Sequence, residues 1–142
     1  PMQWSAEPNA GFSTAAGDRL YAPVINDPTY GYQQVNVESQ RADPDSLLHT
    51  IRHMVQVRKA LPMVAKGRLE WLQELPPHLL CFWRRAPQGD LLALHNLADE
   101  PAEIALPEGM ALADVLDPAH AVVSGVVTLP PYGYRWLRLL GS

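Results

Sequence analysis

Between Leu47 and Leu61 apolar residues recur at three- and four-residue spacing: Leu47, Leu48, Ile51, Met54, Val55 and Leu61. That is the period of one helix face. Arg52, Gln56, Arg58 and Lys59 fall mostly on the other side of the wheel, with basic residues near the C-terminal end, where the helix dipole favours them. Asp43 suits an N-cap and Pro44 the first helical position, with Asp45 adding negative charge to the first turn. Pro62 ends the element. The expectation is a helix over Asp43–Leu61. From about Lys66 the pattern changes to short apolar stretches broken by Pro, Gly and Asp. Strands are expected at Arg68–Leu72, Leu79–Arg85, Leu91–Asn96, Ala102–Leu106, Ala121–Leu129 and Tyr134–Leu140. Pro87-Gln88-Gly89-Asp90 reads as a hairpin turn, and Ala111–Leu116 reads equally as a strand or a turn. Short strands at this spacing suggest a small antiparallel sandwich.

The first 42 residues show neither period. Pro8, Gly11, Gly17, Pro23, Pro28 and Gly31 punctuate them, with Asn9, Asn26 and Asp27 between, all residues with a backbone reason to sit in turns. The same stretch holds Trp4, Phe12, Leu20, Tyr21, Val24, Ile25, Tyr30 and Tyr32, too aromatic for a disordered tail. A loop of this length in a compact domain is usually functional. Either it packs on a surface outside these 142 residues, or the irregular reading is wrong.

Composition narrows the classes. The chain is 47% hydrophobic with a formal net charge of −4, which supports a packed core and offers no basic surface for nucleic acid. No apolar run reaches membrane-spanning length, and Pro1-Met2-Gln3-Trp4 lacks the basic and apolar regions of a signal peptide. The one cysteine, Cys81, forms no internal disulfide and fits a reducing cytoplasm.

Specific motifs then point to a family. Pro1-Met2-Gln3-Trp4-Ser5 and Asn9-Ala10-Gly11-Phe12-Ser13 resemble a pair of motifs late in glycoside hydrolase family 13. Leu20-Tyr21, Pro23-Val24-Ile25, Asp27-Pro28, Tyr30-Gly31-Tyr32-Gln33 and Val35-Asn36-Val37-Glu38 resemble its trehalose synthase members in residues and spacing. Ser5 agrees with them, where oligo-1,6-glucosidases usually carry Asp. Further on the resemblance rests on Asn96-Leu97 and on Leu129-Pro130-Pro131-Tyr132-Gly133-Tyr134. It implies the end of a (β/α)8 barrel, long loop plus last helix, over residues 1–64, and a small all-β antiparallel sandwich over 65–142. The loop would lie at the C-terminal face of the barrel strands, where such barrels keep their active sites. The family's Arg-Thr pair normally precedes Pro1, so the resemblance also implies a segment of a longer chain.

The activity implied is isomerisation of maltose to trehalose by a retaining mechanism, in the cytoplasm. Retaining chemistry uses two carboxyl groups about 5–5.5 Å apart. In this family they come from earlier strands whose motifs are absent here, so no catalytic residue is assigned and the segment is read as structural. The implied partners are the upstream barrel of the same chain, maltose and trehalose, with room for a maltokinase and for self-association. No cofactor is expected in this segment; a structural calcium would belong elsewhere in the full enzyme. The rival readings are the tail of an oligo-1,6-glucosidase or α-glucosidase, a free-standing carbohydrate-binding β-domain, and a non-enzymatic remnant or adaptor.

Gln3 and Trp4 are the candidate substrate contacts, because an indole face stacks on a pyranose and an amide bonds hydroxyls. The favoured alternative is packing, with Trp4 filling a gap under the loop and Gln3 satisfying backbone. Asn9, Asn36 and Glu38 read first as supports or caps of the loop's own backbone, and Tyr30 and Tyr32 as a packed pair with bonded hydroxyls. His49 and His53 have a metal-compatible helical spacing, but no acid completes the set. Cys81 reads as a buried, inert thiol. Trp71, Trp83 and Trp136 form either a carbohydrate platform or, preferably, core and docking surface.

Overall fold

The computed structural model describes residues 1–117, 119 and 122–141. The chain divides into two compact units, Pro1–His53 and Met54–Ser142.

The first unit is a stitched loop followed by helices. Short 3-10 turns occupy Pro8–Gly11 and Gly17–Arg19, and helix α1 spans Val37–Ala42. The irregular reading of the first 42 residues missed α1. Its signal is Asn36, whose Oδ1 accepts the Ser39 N–H at 2.8 Å, an N-cap that satisfies a donor the helix start leaves free. Helix α2 spans Leu47–Ala60, so Asp43 and Pro44 do not begin it. Asp43 instead closes a turn, accepting the Asp45 N–H at 2.9 Å. The first turn of α2 is capped from α1: Gln40 Oε1 accepts the Leu48 N–H at 3.0 Å, and Ser46 Oγ donates to the Gln40 carbonyl at 2.6 Å. No residue of α2 is buried. Its apolar stripe stands open, with Leu47 68%, Ile51 51% and Val55 41% exposed.

The second unit begins beyond the middle of α2. Pro62 ends that helix and opens another, α3, Pro62–Lys66, where its missing N–H costs nothing. Seven strands follow among the described residues: β1 Arg68–Trp71, β2 Leu79–Ala86, β3 Gly89–Asn96, β4 Ala102–Ala105, β5 Leu112–Asp114, β6 Val126–Leu129 and β7 Tyr134–Leu139. The ambiguous stretch at 111–116 thus contains a strand. The expected strand at 121–129 is regular only from Val126, with Val123 in an isolated bridge to Leu112; Ala121 lies outside the described residues.

One sheet has the antiparallel order β1-β2-β3-β7-β5, and a second pairs β4 with β6. The β2–β3 register pairs Ala86 with Gly89, so Pro87-Gln88 connects the two strands, and Gly89, just after them, carries a positive φ of 125° that residues with a side chain rarely adopt. The sandwich core joins Cys81, Trp83, Leu92, Leu94 and Leu137 of the large sheet to Ile104, Val127 and Leu129 of the small one. A second cluster packs Leu61 and Met63 on Leu91, with Val57, Val64 and Trp136 at its margin.

Candidate functional site

The candidate pair lies where the loop closes on itself. Gln3 and Trp4 run beside the start of α1: the Val37 N–H donates to Gln3 O and the Glu38 N–H to Trp4 O, both at 2.9 Å. Extended backbone sends successive side chains to opposite sides. Gln3 accordingly lines a groove with Ile25, Val35 and Gln40, while Trp4 lines another with Ser5, Gly11, Glu38 and Arg41. The two residues thus line different grooves.

Their surroundings differ. Gln3 Nε2 donates to Val35 O at 2.7 Å and to Tyr30 O at 3.3 Å, bridging the two ends of the loop, and its Oε1 is buried with no hydrogen-bond partner among the described residues. Trp4 is 47% exposed and does not fill a gap beneath the loop within this unit. Glu38 and Arg41 stand one helical turn apart beside it. Arg41 is not legible as a candidate without α1, and the Asn36–Ser39 cap is the signal that would have revealed it.

The loop's turns are tightly specified. Asn9, Ala10 and Gly11 carry φ values of 56°, 55° and 68°, three successive left-handed residues. Ala10 is fully buried, and its carbonyl accepts the N–H groups of Trp4 and Ser5. Asn9 Nδ2 donates to Ala15 O at 2.7 Å and Ser13 O at 3.0 Å, a backbone-supporting role. Asp27 Oδ1 accepts the N–H groups of Thr29 and Tyr30 at 2.8 Å. Those bonds, Tyr30's first, hold the carboxyl below its ordinary range. Tyr30 is exposed and Tyr32 half-buried, so the pair is not packed together in the way the sequence suggested.

In the β-unit the three tryptophans do not form a platform. Trp83 pairs with Glu70 and Leu92, whereas Trp71 pairs with Phe82, which places Trp83 in the sandwich core and Trp71 on the opposite face. The Arg85 guanidinium lies 4.1 Å over the Trp83 ring and bonds Asp90 at 2.5 Å and Glu70 at 3.2 Å. Burial pulls the Arg85 pKa down, but the bonds to Asp90 and Glu70 outweigh it and leave it raised. Cys81 is buried, and burial pushes its thiol pKa up. Among the described residues no group of three or more His, Cys, Asp and Glu side chains could hold a metal ion, so His49 and His53 offer no such set. None of the described helices is long and apolar enough to cross a membrane.

Among the described residues a long stitched loop and a capped helix thus precede a β-unit of seven strands. The family description "Alpha amylase, catalytic domain" matches residues 1–67, and "Sucrose hydrolase-like, C-terminal domain" matches 89–138. Trehalose synthase/amylase TreS of Mycobacterium tuberculosis is 38% identical over 150 aligned positions, covering 98% of this chain and 25% of that protein. A Pimelobacter trehalose synthase is 36% identical, covering 98% and 26%. Among solved structures, trehalulose synthase MutB of Pseudomonas mesoacidophila superposes with a TM-score of 0.81 at 24% identity, over 99% of this chain and 25% of that one. Trehalose-6-phosphate hydrolase of Bacillus licheniformis gives 0.80 at 24%, over 99% and 25%. The chain belongs to the α-amylase family, glycoside hydrolase family 13, as the end of its catalytic domain followed by the all-β C-terminal domain. It spans about a quarter of the length of these relatives.

Proposed function

We propose that this chain is the C-terminal quarter of an enzyme that isomerises maltose to trehalose in the cytoplasm, residues 1–64 completing its barrel. An upstream Asp would take the glucosyl unit with retention, in two displacements, while an upstream Glu protonates the departing O4 of glucose. The released glucose would then attack the anomeric carbon through its own C1 hydroxyl, returning a proton to that Glu and forming the 1,1 bond. Water in the site would yield hydrolysis instead, so closure sets the product ratio. The present segment carries none of the acids in this scheme; its loop, with Gln3 and Trp4 at the base, contributes to closure.

The observation that carries this reading is the open apolar surface of the first unit. Leu47 and Ile51 on α2 stand exposed, as do Trp4, Ile25 and Tyr30 on the loop. Apolar residues grouped in this way mark a covered face, and the relatives at 36–38% identity are trehalose synthases extending well beyond this segment. A second reading, the tail of an α-glucosidase, is supported by a probable α-glucosidase of Rhizobium meliloti, 34% identical over 98% of this chain and covered over 24% of its own length. Incubating the full-length protein with maltose separates the two. Trehalose as the main product is expected, whereas glucose as the main product would transfer the assignment to the α-glucosidases.

A further inference from the structure

The loop of the first unit has an incoming and an outgoing limb, and the Gln3 side chain ties one to the other. Its Nε2 donates to Val35 O at 2.7 Å and to Tyr30 O at 3.3 Å. A carboxamide nitrogen carries two N–H donors, so both are spent on the main chain of the outgoing limb. Its Oε1 is buried with no hydrogen-bond partner among the described residues. Neither end of this amide is therefore open to a sugar hydroxyl arriving from solvent. Asn9, by contrast, bonds within its own limb, to Ser13 O and Ala15 O.

The outgoing limb is closely knit where Gln3 holds it. Asp27 Oδ1 accepts the Thr29 and Tyr30 N–H groups at 2.8 Å. The Gly31 N–H donates to Asp27 O at 2.8 Å, and the Gln34 and Val35 N–H groups share Gly31 O at 2.9 Å. Tyr30 is thus gripped on both sides of its Cα, its N–H by Asp27 and its carbonyl by Gln3, while the residue stands 69% exposed. The main-chain bonds from Val37 and Glu38 to Gln3 O and Trp4 O fix the start of α1. The amide reaches further out, to the turn at Tyr30, so it governs how that turn lies against the incoming limb.

We infer that Gln3 is a positioning residue for glucosyl transfer: by fixing the Tyr30 turn it sets the share of glucosyl units passed to glucose rather than to water. The inference rests on the reading of this chain as the end of a maltose-isomerising enzyme whose site the loop helps to close. In that scheme the C1 hydroxyl of glucose displaces the enzyme carboxylate from the anomeric carbon and gives its proton to the upstream Glu. A water molecule in the same place does the same and yields glucose. A turn that sags admits water, so it changes the product without changing the bond first broken.

Product ratios from maltose test it, in the full-length protein carrying Gln3→Met, Asp27→Ala or both. Gln3→Met keeps the side-chain length and removes both donors. Asp27→Ala, at an exposed position, frees the Tyr30 N–H on the other side of the same residue. Each is expected to raise the glucose-to-trehalose ratio about fivefold, the effect of one hydrogen bond of ordinary net strength. The double variant should be no worse than the more affected single one, because both loosen one turn. A variant that only folds less well lowers the amount of active enzyme and leaves the ratio where it was. An unchanged ratio in either single variant overturns the inference, so Asp27→Ala decides by itself should Gln3→Met fail to fold. Effects that multiply in the double variant overturn it too, since Gln3 would then act independently of the turn, as a sugar contact would. Glucose as the main product of the unsubstituted protein is a separate failure: it removes the isomerase reading, and the inference with it.

Discussion

Asn96 donates from Nδ2 to the main-chain oxygen of Pro130 at 3.0 Å, across 34 positions of sequence. The same nitrogen donates to Glu100 O at 2.7 Å, and Oδ1 accepts the Ala98 N–H at 3.1 Å. The side chain is fully buried and holds the end of β3 to the turn that leads into β7. Replacing it by Asn96→Leu keeps the branched heavy-atom shape and strands its partners. An unsatisfied buried group costs about 1–3 kcal/mol. A loss of about 3 kcal/mol is therefore expected in urea unfolding, and a loss within about 0.5 kcal/mol, typical of surface changes, would refute the assigned role.

Asp27 gives the loop an acid sensitivity. Its carboxyl is depressed by the Tyr30 and Thr29 N–H bonds, so its folded value lies below its unfolded one. The associated stabilisation is complete above the unfolded value, near pH 4, and is lost as pH falls through the folded value. A carbon-detected NMR titration should place the Asp27 midpoint below that of an ordinary aspartate, and Asp27→Asn should flatten the acid limb of loop stability. An ordinary midpoint would sink the claim. Gly31 supports the same turn, since a Cβ there would lie 2.4 Å from Asp27 O; Gly31→Ala should open the turn and abolish the depressed midpoint.

Cys81 should be silent in the native protein. It is 2% exposed, and desolvation keeps the thiol protonated, while thiolate is the reactive species. Ellman's reagent at pH 8 is expected to titrate no thiol at Cys81 until denaturant is added. Rapid native labelling of this residue would show that β2 opens locally.

The stripe on α2 distinguishes a covered helix from a solvated one. In the 142-residue chain Ile51→Glu should change stability by no more than about 0.5 kcal/mol, as for surface changes generally. In the full-length protein the same charge would be buried, at a cost of about 3 kcal/mol or more. Thermal unfolding of both forms checks this, and equal tolerance in the two would remove the argument for a barrel over α2.

Where local chemistry decides, the sequence was readable. Strands β1 to β4 and β7 follow from apolar runs bounded by turn residues, and the turn at Pro87-Gln88 from its glycine, whereas β5 was left open between strand and turn and the strand expected at 121–129 is regular only from Val126. Helix α2 was legible from its period, but its start was not. Asp43 has the chemistry of an N-cap, yet the Gln40 side chain, eight residues before Leu48, takes that duty, and a contact of that reach leaves no local signature. The short helix α1 was hidden because its six residues, Val-Glu-Ser-Gln-Arg-Ala, carry no apolar period. The candidate pair illustrates a different limit. Gln3 and Trp4 were legible as chemistry, but their divergence into separate grooves depends on backbone direction, which residue type does not encode.

The three bonds that bring Gln3 and Trp4 back to Val35, Val37 and Glu38 turn the intervening thirty residues into a lobe with a fixed neck. Residues added or removed at its tip would leave the neck, and hence the launch of α1, where it is. Such an anchorage lets the crest of the lobe vary in length and sequence while the backbone beneath it keeps its geometry.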